Sequence, residues 1–122
     1  MNAYMTKTFK KWAEHNKIKN KSLRRCLDEI ENGSADANLG ANLYKQRVAL
    51  QGQGKSGSHR VILAVKIRDK AFFLYGFSKS AQDNLSTKEL KAYKLIAKKF
   101  LTMNEVEIQH HINSKVLSEV TS

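Results

Sequence analysis

The apolar residues of this chain change their spacing twice, and that switch of period restricts the available folds more than any other feature. Phe9, Trp12 and Ala13 recur at helical spacing, as do Leu23, Cys26, Leu27 and Ile30. Amphipathic helices are therefore predicted over 9–16 and 22–32, with Gly33 as the stop of the second. The small and polar residues 34–42 read as a loop. From Leu43 the pattern becomes alternation, which predicts strands over 43–50, 59–68 and 70–78, the last two joined by a tight turn at Arg68-Asp69-Lys70. Strands that follow one another through short connections pair antiparallel. Helical spacing returns with Leu90, Tyr93, Leu95, Ile96 and Phe100 behind a capping box of Ser86 and Glu89, and a weaker last helix is expected over 104–119. The predicted fold class is α+β: two N-terminal helices packed on a small antiparallel β-sheet, followed by C-terminal helices. Residues 1–103 are expected to form the domain and residues 104–122 a C-terminal helical extension.

A chain of 122 residues can bury one two-layer core. Its 22 Lys and Arg face only 11 Asp and Glu, a formal charge of +11. Such an excess favours a polyanion partner, nucleic acid above all, because each phosphate neutralised by a cation releases condensed counterions. The plainer alternative is a soluble basic protein or one with an acidic protein partner. The single cysteine, Cys26, can make neither an intramolecular disulfide nor a cysteine-based zinc site, and its place on an apolar stripe marks it as core. The N-terminus lacks the apolar run of a signal peptide, and no segment approaches the roughly 18 apolar residues of a membrane span. A cytoplasmic protein with no membrane partner is expected.

Residues 49–56, Ala-Leu-Gln-Gly-Gln-Gly-Lys-Ser, mimic a phosphate-binding loop with Ala at its first position. Such a loop needs a helix to begin at its Lys-Ser, so that aligned N–H groups meet the phosphate. Here a strand pattern follows, and a nucleotide-hydrolysing domain is excluded. The alternation carries more. Side chains two apart in a strand share a face, so Lys45 and Arg47 point together. His59, Val61, Leu63, Val65 and Ile67 form a face for the N-terminal helices, with Arg60, Ile62, Ala64 and Lys66 opposite. Phe73, Tyr75, Phe77 and Lys79 share a face of the third strand. Lys45, Arg47, Arg60, Tyr75, Phe77 and Lys79 are then expected on one surface, with Lys55 reaching in from the glycine loop. Cations for phosphate and rings for unpaired bases suit single-stranded nucleic acid, whereas the plain reading of the same residues is a solvated sheet face. The adjacent His110 and His111 diverge by about 100° on a helix and make a poor metal site. The cluster Lys7, Lys10, Lys11, Lys17, Lys19, Lys21, Arg24 and Arg25 suits docking on structured RNA or on an acidic protein segment, or is simply a solvated helix face.

Four segments carry a family resemblance: Phe9-Lys10-Lys11-Trp12-Ala13, Leu43-Tyr44-Lys45-Gln46-Arg47-Val48-Ala49, Gly52-Gln53-Gly54-Lys55-Ser56-Gly57-Ser58-His59-Arg60 and Phe72-Phe73-Leu74-Tyr75-Gly76-Phe77-Ser78-Lys79. Over residues 4–103 the chain resembles the RelE branch of the RelE/ParE toxins, close to the HigB-like members of toxin–antitoxin pairs. The resemblance implies a ribosome-dependent endoribonuclease that cuts mRNA without metal or cofactor, and that a cognate antitoxin, such as a small helix-turn-helix protein, silences. The family's catalytic cations fall on Lys45, Arg47, Arg60 and Lys79, with Lys55, Tyr75 and Phe77 as RNA-binding residues. A lysine crowded by like charge is a candidate general base, a role that falls to Lys45, while Arg60 can clamp phosphate oxygens. Residues 80–86 contain neither the tyrosine nor the histidine that related ribosomal nucleases carry after the third strand, so Tyr75 or Tyr93 would have to substitute. The same fold also serves non-catalytic inhibitors of DNA gyrase, and a third possibility is a basic nucleic-acid-binding module without toxicity.

Overall fold

The computed structural model describes residues 1–48 and 59–121. The three alternating segments form β3 (Leu43–Arg47), β4 (His59–Lys66) and β5 (Lys70–Ser78), paired antiparallel as expected. Three further strands join them. β1 (Asn2–Thr6) precedes the helices and lies parallel to β5, with Asn2 beside Lys70 and Met5 beside Phe73. β2 (Ala37–Gly40) pairs with β3 inside the segment expected as loop, and β6 (Leu117–Glu119) pairs antiparallel with β1. The sheet order is β2-β3-β4-β5-β1-β6, so the sheet is mixed, which corrects the antiparallel expectation. β1 escaped detection for a physical reason. Ala3, Tyr4 and Met5 are all buried, and a strand covered on both faces has no polar alternation to show.

Helix α1 (Lys7–His15) starts where the Thr6 hydroxyl accepts the Phe9 N–H at 3.2 Å, and α2 (Asn20–Glu31) follows after a turn in which Lys17 has φ +57°. Their apolar stripes, Phe9, Ala13, Leu23, Cys26, Leu27 and Ile30, pack on Val61, Leu63, Val65 and Phe73. Cys26 is core, as its spacing predicted. Arg24, from the N-terminal basic cluster, is tied into the fold. Its guanidinium donates to Val120 O at 3.1 and 2.7 Å and to Met1 O at 2.7 Å, clamping both ends of the described chain together.

The opposite sheet face is also covered. Helix α3 (Thr87–Leu101), with the Ser86/Glu89 capping box that its sequence predicted, helix α4 (Glu105–Asn113) and the link between them lay Ala97, Ile108 and Met103 on Tyr4, Leu43, Ile62, Ala64, Phe72, Leu74 and Phe77. The fold therefore has helices on both sides of one sheet, which is why Val61 to Val65 are buried without interruption. Two boundaries also differ from expectation. β4 ends at Lys66 because Arg68 takes φ +65° in the turn, leaving Ile67 exposed. The helix expected to 119 stops at Asn113, since Lys115 turns the chain with φ +64° into β6.

Candidate active site

The pairing register decides which cations meet. Lys45 stands opposite Ile62 and Arg47 opposite Arg60 across β3 and β4, while Ile62 faces Tyr75 and Arg60 faces Phe77 across β4 and β5. Two rows result on the α3 side of the sheet: Lys45, Ile62, Tyr75, then Arg47, Arg60, Phe77. Val48 N donates to His59 O at 3.2 Å and Val65 N to Asn42 O at 2.9 Å, which makes Lys45–Ile62 and Arg47–Arg60 non-hydrogen-bonded pairs. In such pairs the Cα atoms approach to about 4.5 Å and the side chains come closest. Two arginines directly opposite repel one another, so their pairing calls for an anion.

One anion comes from the protein. Asp36 Oδ2 accepts the Arg47 backbone N–H at 2.6 Å and its Nε at 3.3 Å, and Oδ1 accepts Nη2 at 3.2 Å. The hydrogen bond to Asp36, followed by its charge, raises the Arg47 pKa. Asp36 is itself oriented from below. The fully buried Gln46 accepts the Asp36 N–H through Oε1 at 2.8 Å, and donates through Nε2 to Glu29 Oε1 at 3.1 Å and to Ser34 O at 3.4 Å. Arg60 Nη1 donates to His59 O at 3.2 Å.

Lys45, the cation of the first row, is tied to the segment that leads into α3. Its Nζ donates to Asn84 Oδ1 at 3.3 Å. Gln82 Oε1 accepts the Tyr75 hydroxyl at 2.9 Å, and Gln82 Nε2 donates to Asn84 O at 2.9 Å and to Glu89 Oε1 at 3.1 Å. Residues 79–86 thus form a strap from β5 to α3 along the cation face. Burial, and then the Glu89 charge, raise the Tyr75 pKa; burial, Tyr75 and Glu89 do the same for Tyr93. Both phenols keep their protons at neutral pH. Glu89 is held below the usual carboxylate range, first by the Ser86 N–H.

The aromatic residues do not present the open surface that alternation predicted. Pairing shifts between Ile62 and Leu63, where β5 inserts Leu74 as an extra residue. Phe73 therefore turns to the α1 side, while Tyr75 and Phe77 remain with the cations. The Tyr75 ring is stacked between Phe77 at 5.9 Å and Tyr93 at 5.4 Å, and Phe77 is only 4% exposed. Phe77 is thus buried, and Tyr75 is half-buried against its neighbouring rings. Lys79 is exposed immediately after β5, at the end of the sheet that carries Arg47 and Arg60. Lys55 and the glycine loop lie outside the described residues. His59 turns to the α1 side as expected, where Nε2 lies 3.1 Å from Asn16 Oδ1 and the ring meets Trp12 edge-on. Among the described residues no group of three His, Cys, Asp or Glu is arranged to hold a metal.

A family model described as the RelE toxin of the RelE / RelB toxin-antitoxin system matches residues 1–120. The chain belongs to the RelE toxin family. No curated protein sequence matches it. The match runs through α4 and β6, and an antitoxin partner follows from the family. No helix among the described residues of this RelE-family toxin is long and apolar enough to cross a membrane. Sequence reasoning missed Asp36, Gln46, Gln82 and Asn84, whose parts in the toxin's site depend on tertiary neighbours. Only Gln46 left a trace, as an amide on the inward face of a strand.

Proposed function

We propose that this RelE-family toxin is a ribosome-dependent, metal-independent mRNA endonuclease of the cytoplasm, with Lys45, Arg47, Arg60 and Lys79 as its catalytic cations. The observation that carries this reading is the close cross-strand pairing of Arg47 with Arg60, with Lys45 on the same face. Asp36 already holds the Arg47 side chain in place, and a phosphodiester, with its charged oxygens, suits two guanidiniums set side by side. In the reaction the ribose 2′-oxygen attacks the adjacent phosphorus and the bond to the 5′-oxygen breaks. The products are a 2′,3′-cyclic phosphate and a 5′-hydroxyl. Lys45 is the group that accepts the 2′-hydroxyl proton. Arg60 and Arg47 neutralise the phosphorane oxygens as charge develops, and Lys79 donates the proton with which the 5′-oxygen leaves as a hydroxyl. Messenger RNA on the ribosome is the substrate, and a cognate antitoxin, of the helix-turn-helix type, is the partner.

A second reading, non-catalytic inhibition in the manner of gyrase-directed members of the fold, draws support from one feature. The tyrosines near the cations are closed in by other rings and by the strap. Inducible expression of the wild type and of Arg60→Ala in bacteria separates these readings. Growth arrest with new 5′ ends inside translated codons, both lost in Arg60→Ala, is the expected result. Arrest without cuts moves the assignment to the inhibitor, and absence of arrest leaves a basic binding module.

A further inference from the structure

The far side of α3 carries a feature that the cation face does not use. A groove of about 500 Å³ runs between α3 and the β2–β3 turn, lined by Ala41, Asn42, Lys91, Lys94, Leu95, Lys98, Leu101 and Thr102. On α3 the lining residues fall at 91, 94/95, 98 and 101/102, which is one stripe of a helix. Leu95 is 65% exposed there, although the apolar residues that anchor α3, such as Ala97, face the sheet. No acidic residue lines the groove, and among the described residues Lys91, Lys94 and Lys98 have no ion-pair partner.

We propose that this groove is a docking site for an acidic amphipathic peptide segment of a protein partner, its leucine-type side chains set on Leu95 and Leu101 and its carboxylates on Lys91, Lys94 and Lys98. The charge is complementary to such a segment, and the stripe from 91 to 102 extends about 16 Å at 1.5 Å per residue, the length of roughly three helical turns. An amphipathic helix offers apolar anchors at that spacing. Single-stranded RNA is the weaker fit, because it binds through rings that stack on bases and no aromatic side chain lines the groove. The proposal is independent of the nuclease reading, since the groove shares no residue with the cation rows.

The test is fluorescence anisotropy of the full-length protein with a labelled helical peptide of about 14 residues built from Glu and Leu at i, i+3, i+4 and i+7, the geometry of helix-in-groove anchors. A matched Glu/Ala peptide and labelled oligouridylate serve as comparison probes. The Glu/Leu peptide is expected to bind, the Glu/Ala peptide at least tenfold more weakly. Leu95→Gln and Lys98→Glu should each weaken the Glu/Leu peptide several-fold while Arg60→Ala leaves it unchanged. Absence of binding, equal affinity for the Glu/Ala peptide, or an affinity that follows Arg60 instead of Leu95 overturns the proposal. So does oligouridylate binding that is lost in Leu95→Gln and Lys98→Glu. Leu95 and Lys98 are exposed positions outside the core, and circular dichroism confirms that the variants fold.

Discussion

Gly76 sits between the two rings of the candidate site, and replacing it with alanine tests how rigidly β5 is held. On its own face, opposite Tyr75 and Phe77, the Trp12 ring lies directly on the Gly76 backbone, so that an added Cβ would overlap Cδ2, Cε3 and Cζ3. Gly76 pairs with Val61 inside the sheet, and its φ is not positive, so alanine suits the backbone itself. The entropic gain of Gly→Ala in a strand is about 0.5–1 kcal/mol. Against it stands overpacking of about 1–3 kcal/mol, because Trp12 is wedged between Phe9 and His59 and cannot retreat freely. The balance predicts that Gly76→Ala destabilises by about 1–2 kcal/mol, which for a chain of this size lowers Tm by roughly 3–10 °C. Urea and thermal unfolding followed by circular dichroism measure it. The same substitution in a Trp12→Leu background should be neutral or stabilising, a coupling of about 1–3 kcal/mol. Trp12 is the chain's one tryptophan, so its emission should shift red in Gly76→Ala as the ring is pushed towards water. Equal cost in both backgrounds, or an unshifted spectrum, would show that the ring is not the obstacle.

The remaining expectations concern the supports of the site. Gln46→Leu strips the Asp36 N–H and Glu29 of their buried partner, and should cost about 2–3 kcal/mol in urea unfolding; a loss under half of that means water replaces the amide. Tyr4, Tyr75 and Tyr93 have raised pKa values in the folded state. Their contribution is therefore complete below the unfolded value of 10.0 and lost as pH rises through the folded values. Spectrophotometric titration should show phenolate forming late, with Tm falling above pH 10, and tyrosines titrating together at 10.0 would contradict it. Ala41 holds φ +54° in the β2–β3 turn, between Gly40 at +88° and Asn42 at +62°. Ala41→Gly should stabilise by about 0.5–1 kcal/mol, the left-handed cost of alanine exceeding the entropy of glycine, and a lower Tm would refute the strain.

What the sequence disclosed follows from which interactions are local. The α1 and α2 stripes, the Ser86/Glu89 cap and the antiparallel order of β3 to β5 rest on near neighbours, and they were legible. So was the common face of Lys45, Arg47 and Arg60, because a period of two survives any in-phase register. β1 and β6 were not legible, since β1 is buried on both faces and β6 is three residues long. The covering of the cation face left a sign that alternation alone undervalued: Ile62 and Ala64, on the side of Arg60, are as apolar as their neighbours on the other side. The bulge at Leu74, the Asp36 clamp and the Asn84–Lys45 contact come from pairings that no window of sequence contains.

The placing of β1 between β5 and β6 sets the order in which the molecule can be completed. As the chain leaves the ribosome, its first strand has no edge to join until residues 70–78 have been made, and its other edge stays open until residues 117–119 arrive. β1 is thus paired only with segments made long after it, a high-contact-order closure that is slow by nature, and the Arg24 clamp on Met1 and Val120 forms only with it. A nascent copy of this toxin keeps an exposed strand edge on β1 until residues 117–119 have been made.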